Sequence, residues 1–509
     1  MGVILSNFKS SIVSDIKTSI SSNTSYYYAF AASPVANSSS NNNLDDYSSI
    51  FTNDWELLFG KKLKSTDLMP VIRNITWQTN TIYTRYDNTK DLSNSDFYVI
   101  TKPEEFGGTY NVFKCIDNAN GSPSTYVPNQ IQSTSFILGD GYIWKYIYSI
   151  SNINYNKFAT SEYAPVYSNA SISESALNFS GVEVVMISNS GSGYETYHNG
   201  KLQSIANSTL VQIEDEASPD NHYYTKNSIY VYSNNGSFPA QIRNITSYIS
   251  NSQNWVYLDE PLSNTSSINI NNAFYRISPR IQFDTDGDIE PKAYSVINAT
   301  SNSISNVIII EKGSSITRAS AVIVSNTTYG TGANLYCIVP PAGGHGSKPE
   351  NELLTKGIGI YFEFKGTESS NISINTSYNK VGILKNPYIL NSNNTKGSLY
   401  TSNLFSQILE ANISPSAIFS NGEIVTGNTS GAKGLVVYSN STVINLVGDK
   451  DFEDGEYINS SNGLLSTSIS INTLGDLYAK DIVPLYIRDI DNVTRSNNQV
   501  EAFKLIIQV

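Results

Sequence analysis

Histidine, cysteine and charge are scarce in this 509-residue chain, which holds three histidines, two cysteines and 15% Asp, Glu, Lys and Arg. A zinc centre needs its ligands at close spacing, and His198, His222 and His345 stand far apart. Cys115 and Cys337 lie in apolar, strand-like runs and read as buried free thiols, in keeping with assembly in a reducing cytosol. Basic residues number 32 against 44 acidic ones, and the resulting net charge of −12 disfavours nucleic acid or an anionic membrane as a partner. No apolar run approaches the ~18 residues that span a bilayer, and the opening residues do not read as a signal peptide. Met1 to Ser6 fits a myristoylation pattern, but Ile4, Leu5 and Phe8 have a plainer use as one face of a helix.

The chain is instead rich in Asn, Ser and Thr, with 35 Tyr and 32 Gly. Tyr and Thr favour strands, while Asn, Ser and Gly punctuate turns, so the expected fold is mainly β. The length suggests about three units. Ile4, Phe8, Ile12, Ile16 and Ile20 recur every four residues and predict an amphipathic helix. Strands are expected over 25–30, 97–101, 110–116 and 142–150, and Asp67 to Trp77 should lead into one. Asp54 to Gly60 reads as a short helix stopped by glycine. Val182–Tyr194 and Asn306–Ile316 share one plan, an apolar strand followed by a glycine turn. The expected architecture is a β-sandwich-like core with a few short helices plus inserted all-β modules. Its core would comprise 1–175, 361–410 and 471–509, with β modules over 176–360 and a small barrel-like module over 411–470. The apolar closing run, Ala502 to Val509, should be paired in a sheet.

No constellation for catalysis is legible, and no cofactor or metal is expected. His345 lies in Pro340-Pro-Ala-Gly-Gly-His-Gly346, and the plain reading is a tight loop whose imidazole bonds a local carbonyl. Asp284-Thr-Asp-Gly-Asp288 places its glycine fourth rather than sixth, so it reads as a solvated acidic turn rather than a calcium loop. Glu350 to Glu363 supplies carboxylates for which the sequence offers no partner. The densest aromatic segment runs from Trp55 to Asp87 and includes Trp77 and Tyr86; Trp144 follows the Gly139-Asp-Gly141 turn. Large aromatics mark a core or an interface. Lys61, Lys62, Lys64, Arg73 and Arg85 form the one notable basic cluster, either a docking patch for an acidic neighbour or a solvated strand edge.

These residues carry a resemblance. Trp55-x-x-Leu-Phe-Gly-Lys-Lys62, Asp67-x-Met-x-Val71-Ile-Arg-Asn-x-x-Trp77 and Thr81-x-Tyr83-x-x-Tyr86-Asp87 resemble the baseplate wedge proteins of T-even-like contractile-tailed bacteriophages, the gene-product-eight family. Tyr110 to Asp117, Gly139 to Tyr146, Val381 to Pro387, Leu485 to Asp489 and Arg495 to Ile507 resemble its later segments in the same order. The β inserts, and the stretch ending at Leu353, are similar to longer versions in phages of marine bacteria. The resemblance implies a non-enzymatic structural subunit that is dimeric within the wedge. It also implies contact with other wedge proteins, a place in the virion tail baseplate after assembly in the host cytoplasm, and a part in coupling baseplate rearrangement to sheath contraction. Trp55, Lys61, Lys62, Arg73, Trp77, Arg85, Tyr86 and Trp144 are the candidate interface or framework residues. The alternative is a tail-fibre-like adhesin whose Tyr- and Asn-rich β modules bind host surface glycans.

Overall fold

The computed structural model describes residues 6–33, 57–104, 108–195, 198–251, 253–324, 330–368, 372, 374–448, 451–478, 482 and 484–508. The fold is mainly β. The chain forms two compact units, one of residues 1–71 and 356–509 and the other of residues 72–355.

In the first unit, the helix Ser6–Ser21 presents Val13, Ile16 and Ile20 to a core shared by two antiparallel sheets. One sheet runs in the order Leu404–Ser406, Leu57–Lys62, Tyr27–Ala32, Ser377–Lys385, Pro484–Thr494. The other pairs Gly357–Lys365 with Leu68–Arg73 on one side and Val500–Gln508 on the other. Phe59 of the first sheet meets Phe364 of the second edge-on at 5.1 Å. The apolar closing strand is therefore paired, along one edge.

The helix expected over 54–60 is corrected: Leu57–Lys62 is a strand, and residues 51–56 lie outside the described residues. Leu-Leu-Phe-Gly looks like a helix stop, but here Gly60 makes room for a crossing ring. A Cβ there would sit 2.3 Å from Phe405 Cε1. Six antiparallel strands between Leu409 and Thr473 close into a barrel around its own apolar centre, including Leu409, Val436, Ile444 and Ile458. Val437 and Val447 of that barrel pack into the sandwich core, tying the module to its host.

The second unit begins with a sheet ordered Tyr98–Thr101, Tyr110–Asn118, Tyr142–Ile150, Phe136–Ile137, packed around Trp144. A larger sheet follows, and its thirteen-residue strand Ala273–Thr285 serves two cores. Ala273, Tyr275 and Ile277 enter one; Ile281 and Phe283 enter the other. The two segments of similar plan supply Val185 and Val307 to that second core. Residues 72–175 thus group with 176–355 rather than with the sandwich as expected. The physical reason is shared burial: Ile338 and Leu353 pack in the same cluster as Tyr83, Trp144 and Ile172.

Candidate functional site

The tightest convergence of titratable groups in the second unit is Lys114, His345 and Glu352. Lys114 projects from the strand Tyr110–Asn118, where it is the one cation in an apolar run. His345 is delivered by a glycine loop, and Glu352 by the single helical turn Pro349–Glu352, which Pro349 opens. Gly344 and Gly346 adopt φ of +87° and +85°, and a Cβ at Gly344 would lie 2.2 Å from the Ala176 carbonyl oxygen. Only glycine meets both demands, so the loop can press against the segment around Ala170–Ser175.

Lys114 Nζ donates to Glu352 Oε1 at 2.7 Å, and His345 Nδ1 lies 2.7 Å from the same oxygen. The Gly346 N–H donates to Glu352 Oε2 at 2.6 Å. Lys114 Nζ also sits 3.2 Å from the centroid of the Tyr86 ring, which meets the imidazole edge-on at 5.2 Å. The three titratable side chains are 0–3% exposed.

The protonation states follow from this geometry. Burial alone would raise the Glu352 carboxyl, but the Lys114 charge and the His345 hydrogen bond outweigh it and hold its pKa at about 2. Burial lowers Lys114 to about 8, with Glu352 resisting, so it is charged at neutral pH. Burial and the Lys114 charge both push His345 down. Its Nε2 is buried with no partner. A proton there would be stranded, so the imidazole is neutral with its hydrogen on Nδ1, donated to Glu352.

Further charge lies nearby, buried at Glu183 and Lys145 and partly exposed at Lys312. Lys312 Nζ donates to Glu183 Oε2 at 2.6 Å and to Ser135 Oγ at 2.8 Å, and Lys145 Nζ donates to the Ser133 carbonyl. A lysine near pKa 8 beside an imidazole suits base chemistry where a substrate can reach it. Here the ammonium is spent on a carboxylate and roofed by a tyrosine ring. The arrangement works as a clamp joining a strand, a loop and a helical turn.

His345 therefore bonds a carboxylate rather than the local carbonyl expected, and the Glu350–Glu363 stretch does have partners. Lys114 was missed by sequence reasoning; its signal was a lone cation at an inward position in an apolar strand, which must be paired. In the acidic turn, Asp286 accepts from the Thr317 and Arg318 backbone N–H groups. Among the described residues no group of three or more His, Cys, Asp or Glu is placed to hold a metal. Both cysteines are free and buried, and burial pushes the Cys337 thiol up to about 12.

The candidate framework residues separate by unit. Trp55 lies outside the described residues, as do residues 1–5 of the myristoylation pattern that runs from Met1 to Ser6. In the first unit, Lys61 pairs with Glu368 at 2.6 Å, and Lys62 sits over the Tyr26 ring at 4.3 Å. In the second, Arg73 pairs with Asp96 at 2.7 Å. Arg85 is half-buried and makes no ion pair among the described residues. Trp77 is half-buried against the core and donates to Ser124 Oγ at 3.2 Å. Tyr86 belongs to the clamp. Trp144 is fully buried, stacked on Tyr142 at 5.6 Å and edge-on to Tyr83 at 5.7 Å.

The turn ahead of Trp144 is fixed by Asp140. Its Oδ2 accepts from the Thr125 and Tyr126 N–H groups, and its Oδ1 from Tyr142 N–H at 3.1 Å. Burial opposes the charge, but these donors outweigh it and lower the carboxyl pKa. Tyr142 Oη in turn donates to the Ser122 carbonyl at 2.6 Å.

The chain matches no known family model and no curated protein.

Proposed function

We propose that this chain is a structural, non-catalytic subunit of the baseplate wedge of a contractile phage tail. In this reading it pairs with a second copy, contacts other wedge proteins in the virion, and helps couple baseplate rearrangement to sheath contraction. One observation carries the proposal. Tyr83, Tyr86, Tyr142 and Trp144, which bear the sequence resemblance from separate segments, interlock in one core, and Asp140 fixes the turn that leads into it. Residues that hold a framework in place are those a structural family would share. The strongest titratable cluster also reads as a clamp rather than a reaction centre.

Particle microscopy of intact virions tests this: density for the chain is expected in the baseplate at symmetric positions around the hub. Finding it only in capsids, or only free in lysate, contradicts the proposal. Light scattering of the purified chain at micromolar concentration is expected to report a dimer.

A second reading, a glycan-binding adhesin, is favoured by a row of rings on the larger sheet. Tyr230 stacks on Tyr232 at 5.2 Å, both half-buried, and is backed by the buried Tyr294 at 4.6 Å. Aromatic rows on sheets suit saccharides because sugar C–H faces pack on rings. Adhesion of the intact chain to host cells, lost on Tyr232→Ala, would favour it; no adhesion would remove it.

A further inference from the structure

In the second unit, a polar cleft of about 100 Å³ opens on the larger sheet, lined among others by Arg243, Asn244, Glu260, Arg280, Glu290 and Lys292. A single water needs roughly 10–15 Å³ by the same measure, so there is room for a carboxylate or phosphate group. Most of the lining charge is already committed. Arg243 donates to the carbonyls of Pro261 and Ile242 and to Gln241 Oε1. Asp259 accepts from Asn244 N and Nδ2, and Lys292 Nζ reaches Glu260 at 2.8 Å.

Arg280 is the exception. Its Nε is buried and has no hydrogen-bond partner, and no ion pair engages its guanidinium among the described residues. Two residues along the same strand, on the same face, the buried Ser278 hydroxyl is also unpartnered. Ser278 lies opposite Ser228, itself a wall of the cleft. Arg280 is half-buried overall, but an Nε withdrawn from water without an acceptor is costly, and the planar guanidinium fork matches two oxygens of one anion. A cation is the poorer occupant, since the carboxylates present do not gather into a metal-holding group.

We infer that this cleft is a binding site for a small oxyanion, a carboxylate or phosphate group held by Arg280. The group is either a free ion or the acidic substituent of a saccharide. Tyr294, the ladder partner of Arg280, is itself buried and stacks on the half-buried Tyr230, whose row with Tyr232 would border a sugar so held. Glu290 is exposed on the rim and opposes the anion by its charge.

The test is titration calorimetry on the full-length chain at fixed ionic strength with sodium phosphate, sodium acetate and sodium glucuronate. Saturable one-site binding is expected for at least one of them. R280Q should weaken it by roughly ten-fold or more, as loss of a charged hydrogen bond requires. E290Q changes an exposed residue, leaves the fold intact, and should tighten binding. Similar affinity for all three ions indicates a free anion; preference for glucuronate indicates a saccharide. The inference is overturned if no ion saturates, or if E290Q and a folded R280Q both bind like the unaltered chain. Should R280Q fail to fold, the E290Q result decides alone.

Discussion

Lys114 Nζ and Glu352 Oε1 are 2.7 Å apart across 238 residues of sequence, and both side chains are almost wholly withdrawn from solvent. Removing one partner leaves the other charge buried and alone, which costs about 3–5 kcal/mol. Lys114→Met and Glu352→Gln should each destabilise the second unit by that amount in urea unfolding. Because desolvating a pair offsets much of its attraction, Lys114→Met combined with Glu352→Leu should lose less than the sum of the two single changes.

Acid should loosen the same clamp in two steps. His345 is held neutral, below its ordinary 6.5, so the unfolded chain takes up the proton first and stability falls as pH drops through 6.5. Glu352 is depressed from 4.5 to about 2, so its contribution is complete above 4.5 and is lost as pH falls towards 2. Melting temperature measured from pH 8 to pH 3 should show both declines, and His345→Gln should flatten the first.

Two glycine substitutions should separate space from conformation. Gly344→Ala meets the Ala176 carbonyl and a positive φ together, and should unseat the loop. Gly463→Ala has a φ of +70° but open space around it, so its cost should be only about 1–2 kcal/mol. Thermal unfolding of the two variants side by side makes the comparison.

In the first unit, Arg495 is buried, pairs with Glu501 at 3.2 Å and donates to the carbonyls of Ile372 and Lys365. Its guanidinium lies 5.0 Å from the Phe59 ring centroid. Arg495→Met should destabilise this unit by about 3–5 kcal/mol in urea unfolding, with partial recovery on adding Glu501→Gln.

The strands and the clamp were unequally legible in the sequence. Tyr142–Ile150 and the opening helix could be read because their apolar spacing is local and periodic. Leu57–Lys62 could not, since what makes Gly60 fit is the ring of Phe405, far along the chain. The unit boundary was hidden for a different reason. It falls within the strand Leu68–Arg73, where neither a linker nor a change of composition marks it. His345 and Glu352 were visible as candidates, but Lys114 joins them only through tertiary packing.

We propose that the chain is built into a contractile tail as a wedge subunit. A particle reconstruction of the intact tail, with the main chain traced in the baseplate, tests it most directly. Paired copies are expected at symmetric positions around the hub, each with the Tyr83–Trp144 core inside its density. Baseplates complete without this chain, or its density confined to fibre tips, would contradict it.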